Sequence, residues 1–257
     1  MARVKGKTAI VTGATRGLGR VIAATLAREG ANIVIWDIES SKAEAVIKSI
    51  ETESNQKVVF SKVDVTDRVK VEGAFKDAVD EFGHIDILVN NAGVVSAAPT
   101  LLDLDDDQWD LEINVNLTGT YRCIKAVLKH MMDNRSGKIV NMASLAGELG
   151  RPITSAGYSS SKAGVLGLTM SVAQSVAKYG VNVNAICPGI ILTEIHKAYE
   201  KEQLDRLHAD IPFNRNGVKG QYGKPQDIAD AVLFLASNES DYITGTRIRV
   251  NGGSLMG

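Results

Sequence analysis

A phenol and an ammonium stand four residues apart in YSSSKAGVLGL, which begins at Tyr158 and places Lys162 one helical turn on. Residues at that spacing share a face of an α-helix. The plain reading is a tyrosine packed on a core with a lysine reaching past it to water. The chemical reading is an acid/base. A free tyrosine titrates near 10, about three units too high to take a proton at neutral pH. An adjacent ammonium stabilises the phenolate, and three units correspond to about 4 kcal/mol, within reach of a partly desolvated cationic neighbour.

A second group lies near the N-terminus. TGATRGLG, residues 12–19, carries Gly13, Gly17 and Gly19 between an apolar run and a helical stretch. Glycines there let the backbone turn tightly and approach a pyrophosphate, and the helix start adds free N–H groups and a positive dipole end. No Gly-Lys-Ser/Thr ending follows, so this is not the loop of a P-loop ATPase. Asp37 comes 18 residues after Gly19, at the end of the second apolar run. An acid there accepts hydrogen bonds from the hydroxyls of an adenosine ribose and repels a 2′-phosphate, which favours NAD over NADP. A turn or N-cap aspartate is the alternative. Arg16 opposes it, since a base inside the loop suits a 2′-phosphate. Asp37 ranks above Arg16, because like charges in contact cost several kcal/mol while Arg16 can turn to solvent.

These groups need a scaffold, and the chain supplies a regular one. KTAIVTG, ANIVIWD, QKVVFSKVDV, HIDILVNNAG, GKIVNMAS and VNVNAICPG read as strands covered on both faces, being β-branched and almost continuously apolar. Amphipathic stretches at 17–29, 40–53, 67–82, 105–132 and 156–179 read as helices between them. Gly30, Gly83 and Gly180 sit just past three helix ends, where left-handed caps are expected. Strand–helix alternation on this scale predicts an α/β fold: one doubly wound parallel sheet with helices on both faces. TGTRIRVNGG reads as a last strand, and no linker or repeat divides residues 1–257, so one domain is expected. Residues 194–225 break the rhythm. After an amphipathic helix at 197–207, IPFNRNGVKGQYGKP is rich in Gly, Asn and Lys. It follows the carboxyl end of a strand, where open α/β sheets bind ligands, and is expected to act as a lid.

Bulk properties narrow the partners. A formal net charge of -1 and a pI near 6.4 give no electrostatic footprint for nucleic acid or anionic membrane. Two cysteines, Cys123 and Cys187, are too few for a disulfide framework and are expected to be small buried hydrophobes of a reducing compartment. No apolar run approaches the roughly 18 residues of a membrane span, and the first residues lack a secretory h-region. The expected location is cytoplasmic. The four histidines show no ligand spacing, so no metal site is expected. LDLDDDQWD, residues 102–110, lacks the glycine and terminal glutamate of a calcium loop and reads as the acidic start of a helix.

With Tyr158, Lys162, the glycine loop and NNAG at 90–93 in view, the chain resembles the short-chain dehydrogenase/reductase family over nearly its whole length. The likeness includes VDV at 63–65, VNLTG at 115–119, Ser144 fourteen residues before Tyr158, PGIILT at 188–193 and the closing VNGG. The glycine spacing is that of the ordinary-length branch, with a Rossmann-type sheet. Asn251 stands where an aspartate is common, and DNRSG suggests one extra residue in the turn before the fifth strand. The resemblance implies that Tyr158 exchanges a proton with the substrate oxygen, and that Lys162 holds the nicotinamide ribose and lowers the phenol's pKa. Ser144 would hydrogen-bond the substrate oxygen, and Asn116 would position a water linking Lys162 to solvent. Asp64 and Val65 would meet adenine, Asn91 the adjoining ribose region, and Ile191 and Thr193 the nicotinamide amide. Thr15, Arg16, Leu18, Ile38, Gly93, Pro188 and Gly189 complete the expected cofactor contacts.

Three functions follow from these residues. First is an NAD-dependent enzyme interconverting a small secondary alcohol, polyol or alicyclic alcohol with its ketone. Second is a 3-oxoacyl-thioester reductase, acting on acyl carrier protein, which would favour NADPH and a basic docking face. Third is a non-catalytic NAD-binding regulator. The complete set Asn116, Ser144, Tyr158 and Lys162 argues against the third, and Asp37 with the acidic DIES argues against the second. The resemblance and the surplus apolar residues of the 105–132 and 156–179 helices point to a homotetramer, with the C-terminus near a second interface.

Overall fold

The computed structural model describes residues 2–98, 100–150, 154–191, 211–215, 218–219 and 222–257. Seven parallel strands form one sheet in the order β3-β2-β1-β4-β5-β6-β9. They are β1 (Thr8–Thr12), β2 (Asn32–Asp37), β3 (Val58–Lys62), β4 (Ile87–Asn90), β5 (Gly137–Met142), β6 (Val181–Pro188) and β9 (Arg247–Val250). Each falls within a run expected to be a strand. Strand order reverses between β1 and β4, and a crevice opens at such a switch point outside the carboxyl ends of the strands. A small antiparallel pair, β7 (Asn214–Arg215) and β8 (Val218–Lys219), stands apart from this sheet.

Side-chain alternation builds a core on each face. Ile33 and Ile35 of β2 enter one cluster, with Ile22 and Leu26 of α1 (Gly17–Arg28), Val46 and Ile50 of α2 (Ala43–Ser54), and Val232 of α7 (Pro225–Ala236). Val34 and Trp36 enter the other, with Val71 of α3 (Arg68–Phe82), Val127 of α5 (Thr120–Asp133) and Val176 of α6 (Ala156–Val176). Gly30, Gly83 and Gly180 have φ of +94°, +74° and +73°, as the caps require. Both cysteines are buried, and burial raises each thiol to about 12.

Two elements differ from the sequence reading. The stretch 105–132 is not one α-helix. α4 (Asp106–Glu112) runs into a π-helical segment, Ile113–Gly119, before α5 resumes. An extra residue per turn is costly and recurs mainly at functional sites. The sequence reading also marked no helix at α7, although Pro225 stands at its first turn and Asp227 accepts from the Lys224 N–H. The expected helix at 197–207 and most of the 194–225 lid lie outside the described residues. Of that segment, Ile211 is buried, and Gly223 forms a bridge with Ile191. Among the described residues no helix is long and apolar enough to cross a membrane.

Candidate active site

The glycine loop leaves β1 through Gly13, whose φ is +64° and whose N–H donates to Trp36 O at 2.7 Å. Asn91, just past β4, holds the turn from the other side. Its side-chain amide donates to Thr12 O (2.9 Å) and Gly13 O (3.1 Å), and its N–H donates to Thr12 Oγ1 (2.9 Å). A Cβ on Gly19 would overlap Gly13 O and stand 2.5 Å from Asn91 Nδ2, so only glycine lets α1 start this close to the strand. The opposite side is open: a Cβ on Gly17 would meet nothing within 4 Å. Leu18 is half-buried against the α1 core, while Arg16, the N-cap, has an exposed side chain and makes no cap hydrogen bond. An open helix N-terminus over a tight turn fits a pyrophosphate.

Asp37 stands beside this opening. Its Oδ2 accepts from the Thr15 N–H (3.0 Å) and Thr15 Oγ1 (2.7 Å), and Oδ1 accepts from the Glu39 N–H. The carboxylate is thus fixed at the end of β2 both to the glycine loop, through Thr15, and to its own turn, through the Glu39 N–H. Ile38 next to it is 64% exposed, an apolar wall facing solvent. Asp64 accepts from the N–H and hydroxyl of Thr66, and the Val63 N–H bonds to Asp37 O, so Asp64 and buried Val65 adjoin the Asp37 corner.

The Tyr158 group lies on α6 and its neighbours. Ser155 is the N-cap, and its Oγ accepts from the Tyr158 N–H at 2.9 Å. Tyr158 therefore sits in the first turn, where the helix's positive end favours a phenolate. Lys162 is 5% exposed, its Nζ lies 5.7 Å from the Tyr158 ring centroid, and it donates to Met142 O at 2.8 Å. Among the described residues no carboxylate pairs with it. Burial brings its ammonium down to about 8, so it remains mostly charged at neutral pH. Gly93 gives this group room: a Cβ there would lie 3.0 Å from Asn116 Oδ1 and 3.5 Å from Lys162 Nζ.

Asn116 is fully buried in the π-helical segment. Its side chain accepts from the Val94 N–H (2.8 Å) and donates to Val94 O (2.9 Å) and Ser161 Oγ (3.0 Å). Ser144, at the end of β5, caps the 3₁₀ turn Leu145–Gly147 by accepting from the Ala146 N–H. Among the described residues its hydroxyl makes no other hydrogen bond, so its proton is available to an incoming oxygen. Pro188 ends β6, followed by Gly189 and buried Ile191; Thr193 lies outside the described residues. The structure thus brings the glycine loop and Asp37 to one end of the crevice, and Tyr158, Lys162, Asn116 and Gly93 to one centre.

Two features escaped the sequence reading. Ser161 ties α6 to the π-helical segment, because it accepts from Asn116 and donates to Tyr158 O. Glu112, 1% exposed, binds Ser96 and Ser155. Its partners lie 16 and 43 residues away, so no local motif announces it.

A family model described as enoyl-(acyl carrier protein) reductase matches residues 13–254. The 3-oxoacyl-[acyl-carrier-protein] reductase FabG of Staphylococcus aureus (strain Mu50 / ATCC 700699) is 39% identical over 97% of this chain and 98% of its own length. That of Vibrio harveyi is 42% identical over 98% and 99%. Among solved structures, a protein of Sinorhizobium meliloti 1021 assigned as a short-chain alcohol dehydrogenase superposes with a TM-score of 0.90 at 34% identity, over 97% of this chain and 96% of its own. One of Agrobacterium tumefaciens assigned as a gluconate dehydrogenase gives 0.90 at 35%, over 98% and 96%. Similar over almost their whole lengths and folded alike, they settle the affiliation: the chain belongs to the short-chain dehydrogenase/reductase family, oxidoreductases that act on CH–OH and keto groups with NAD(P).

Proposed function

We propose that Tyr158 is the acid/base for interconversion of a ketone and a secondary alcohol. The observation that carries this reading is the buried Lys162 ammonium 5.7 Å from the Tyr158 ring with no carboxylate partner among the described residues. An unneutralised charge in a poorly solvated place acts strongly on its neighbours. It favours the phenolate, as does the start of α6, and so lets Tyr158 release a proton to a substrate oxygen or take one back near neutral pH. Ser144 donates to the same oxygen and fixes its position. Asn116 fixes the loop backbone beside the centre through Val94, and its place in the π-helical segment suits a route for solvent protons towards Lys162.

The crevice fits a nicotinamide dinucleotide. Gly13, Thr15, Gly17, Leu18 and Gly19 would hold the pyrophosphate, with Arg16 at its rim. Asp37 and Ile38 would hold the adenosine ribose, Asp64 and Val65 the adenine, and Asn91, Gly93 and Lys162 the inner part of the cofactor. Pro188, Gly189, Ile191 and Thr193 would line the nicotinamide side. When bound, the group supplies or accepts the hydride.

For the substrate, similarity reverses the order reached from sequence alone. The curated relatives are named as 3-oxoacyl-[acyl-carrier-protein] reductases, which supports a 3-oxoacyl thioester over a small alcohol. Asp37 favours a second reading, an NAD-linked alcohol or polyol dehydrogenase. Its carboxylate, fixed by Thr15, would repel a 2′-phosphate on the adjoining ribose. A crossed assay separates them: an acetoacetyl thioester on carrier protein and on coenzyme A with NADPH and NADH, against secondary alcohols and polyols with NAD and NADP. The first reading expects the thioester to give the highest kcat/KM. Turnover of alcohols or polyols with no thioester reduction selects the second, and inactivity across the panel overturns both.

A further inference from the structure

Tyr158 is held by a helix that is itself gripped at two points. Asn116 donates to Ser161 Oγ, three residues after Tyr158. Glu112 accepts from Ser155 Oγ, three residues before it. The same two side chains hold the loop after β4: Asn116 at Val94, and Glu112 at Ser96 through its N–H (2.7 Å) and hydroxyl (3.0 Å). The Ser155 N–H closes the triangle by donating to Ser96 O at 3.2 Å.

We infer that Glu112 is a positioning residue for Tyr158, the second jaw of a clamp whose first jaw is Asn116. This rests on the reading of Tyr158 as the acid/base. Glu112 accepts three hydrogen bonds in a buried place, which is the chemistry of a carboxylate and not of an amide. Because the Ser155 proton goes to Glu112, the Ser155 oxygen presents a lone pair to the Tyr158 N–H. The carboxylate thus sets both the start of α6 and the direction of its cap. Gly157 shows how closely the parts fit, since a Cβ there would stand 2.5 Å from Glu112 Oε2. Displacements of about 1 Å in a reacting group can cost about 10²-fold in rate.

The test is Glu112→Gln, which keeps size and replaces one acceptor by a donor facing Ser155. Parent, Glu112→Gln, Ser155→Ala, the double variant and Tyr158→Phe are compared by kcat and KM on the best substrate of the panel, the pH profile of kcat, cofactor binding by fluorescence titration, and thermal melting. We expect Glu112→Gln to fold, to bind cofactor within about twofold of the parent, and to lose about 10–100-fold in kcat with little change in KM. Its pH profile should move, because the phenol no longer sits squarely under the Lys162 charge. Ser155→Ala should cost a similar factor, and the double variant little more than either, since both act through one contact. A folded Glu112→Gln enzyme with kcat within twofold and an unmoved profile, while Tyr158→Phe is inactive, overturns the clamp and leaves the acid/base reading intact. An active Tyr158→Phe overturns both.

Discussion

Lys162 is the residue whose energetics decide most. Its ammonium is buried, and that burial lowers its pKa from 10.5 to about 8. The unfolded chain holds this proton up to about 10.5 and the folded chain only to about 8. Between those values the unfolded state binds more protons, so this group's contribution to stability rises with pH across the window and is flat below it. Lys162→Met should remove that rise. Urea midpoints of the cofactor-free parent and variant, taken on either side of pH 8, check this; parallel curves would mean that the ammonium is solvated. The same variant should weaken cofactor binding and push the alkaline limb of alcohol oxidation to higher pH, as the phenol loses its cation. Asp37→Ser belongs at this scale too. It should lower the ratio of kcat/KM for NAD over NADP by removing both ribose acceptors and repulsion, and an unchanged ratio would make Arg16 the deciding residue. At residue scale the sequence was informative wherever a motif is local. Tyr158, Lys162, the glycines and Asp37 stand at spacings that can be read along the chain, whereas Glu112 meets Ser96 and Ser155, and Ser161 meets Asn116, only across long separations.

Elements show a similar division. The strands were legible because burial on both faces demands continuous β-branched runs, and each such run contains a strand. The break of 105–132 was not, because a π-helical turn changes the period by a single residue and the apolar pattern continues through it. α7 carried its signals, a proline at the first turn and an aspartate two residues on, but they adjoin a Gly- and Lys-rich segment that reads as irregular. Element packing also yields a prediction. Gly19→Ala places a methyl group against Gly13 O and Ala14 Cα of the backbone as well as Asn91 Nδ2, so backbone must yield. Overpacking of this kind costs about 1–3 kcal/mol. The variant should melt earlier and bind dinucleotide at least tenfold more weakly, by about 1.4 kcal/mol or more. Normal cofactor affinity at unchanged stability would mean that the loop and α1 are not in the contact described.

At the scale of the whole molecule, the candidate site draws on the segments after β1 to β6, on the π-helical segment and on the first turns of α6, and the helices behind them carry apolar groups that one chain leaves uncovered. Trp109, Leu111, Tyr121 and Met170, on α4, α5 and α6, are 37–52% exposed. We expect these helices to pair between copies and the protein to assemble as a homotetramer of about four times 27.5 kDa. Light scattering at micromolar concentration measures this, with Met170→Glu expected to shift the mass downward; a single-chain mass for the parent would remove the assembly. Catalysis as proposed depends on one proton passing through Tyr158, and Tyr158→Phe isolates that step. The substitution keeps the ring packed beside Lys162 and removes only the transferable proton. Followed by absorbance of reduced cofactor on the best substrate of the panel, kcat should fall by at least about 10²–10⁴-fold while dinucleotide binding persists. A folded Tyr158→Phe protein that turns over within a few-fold of the parent would contradict the account.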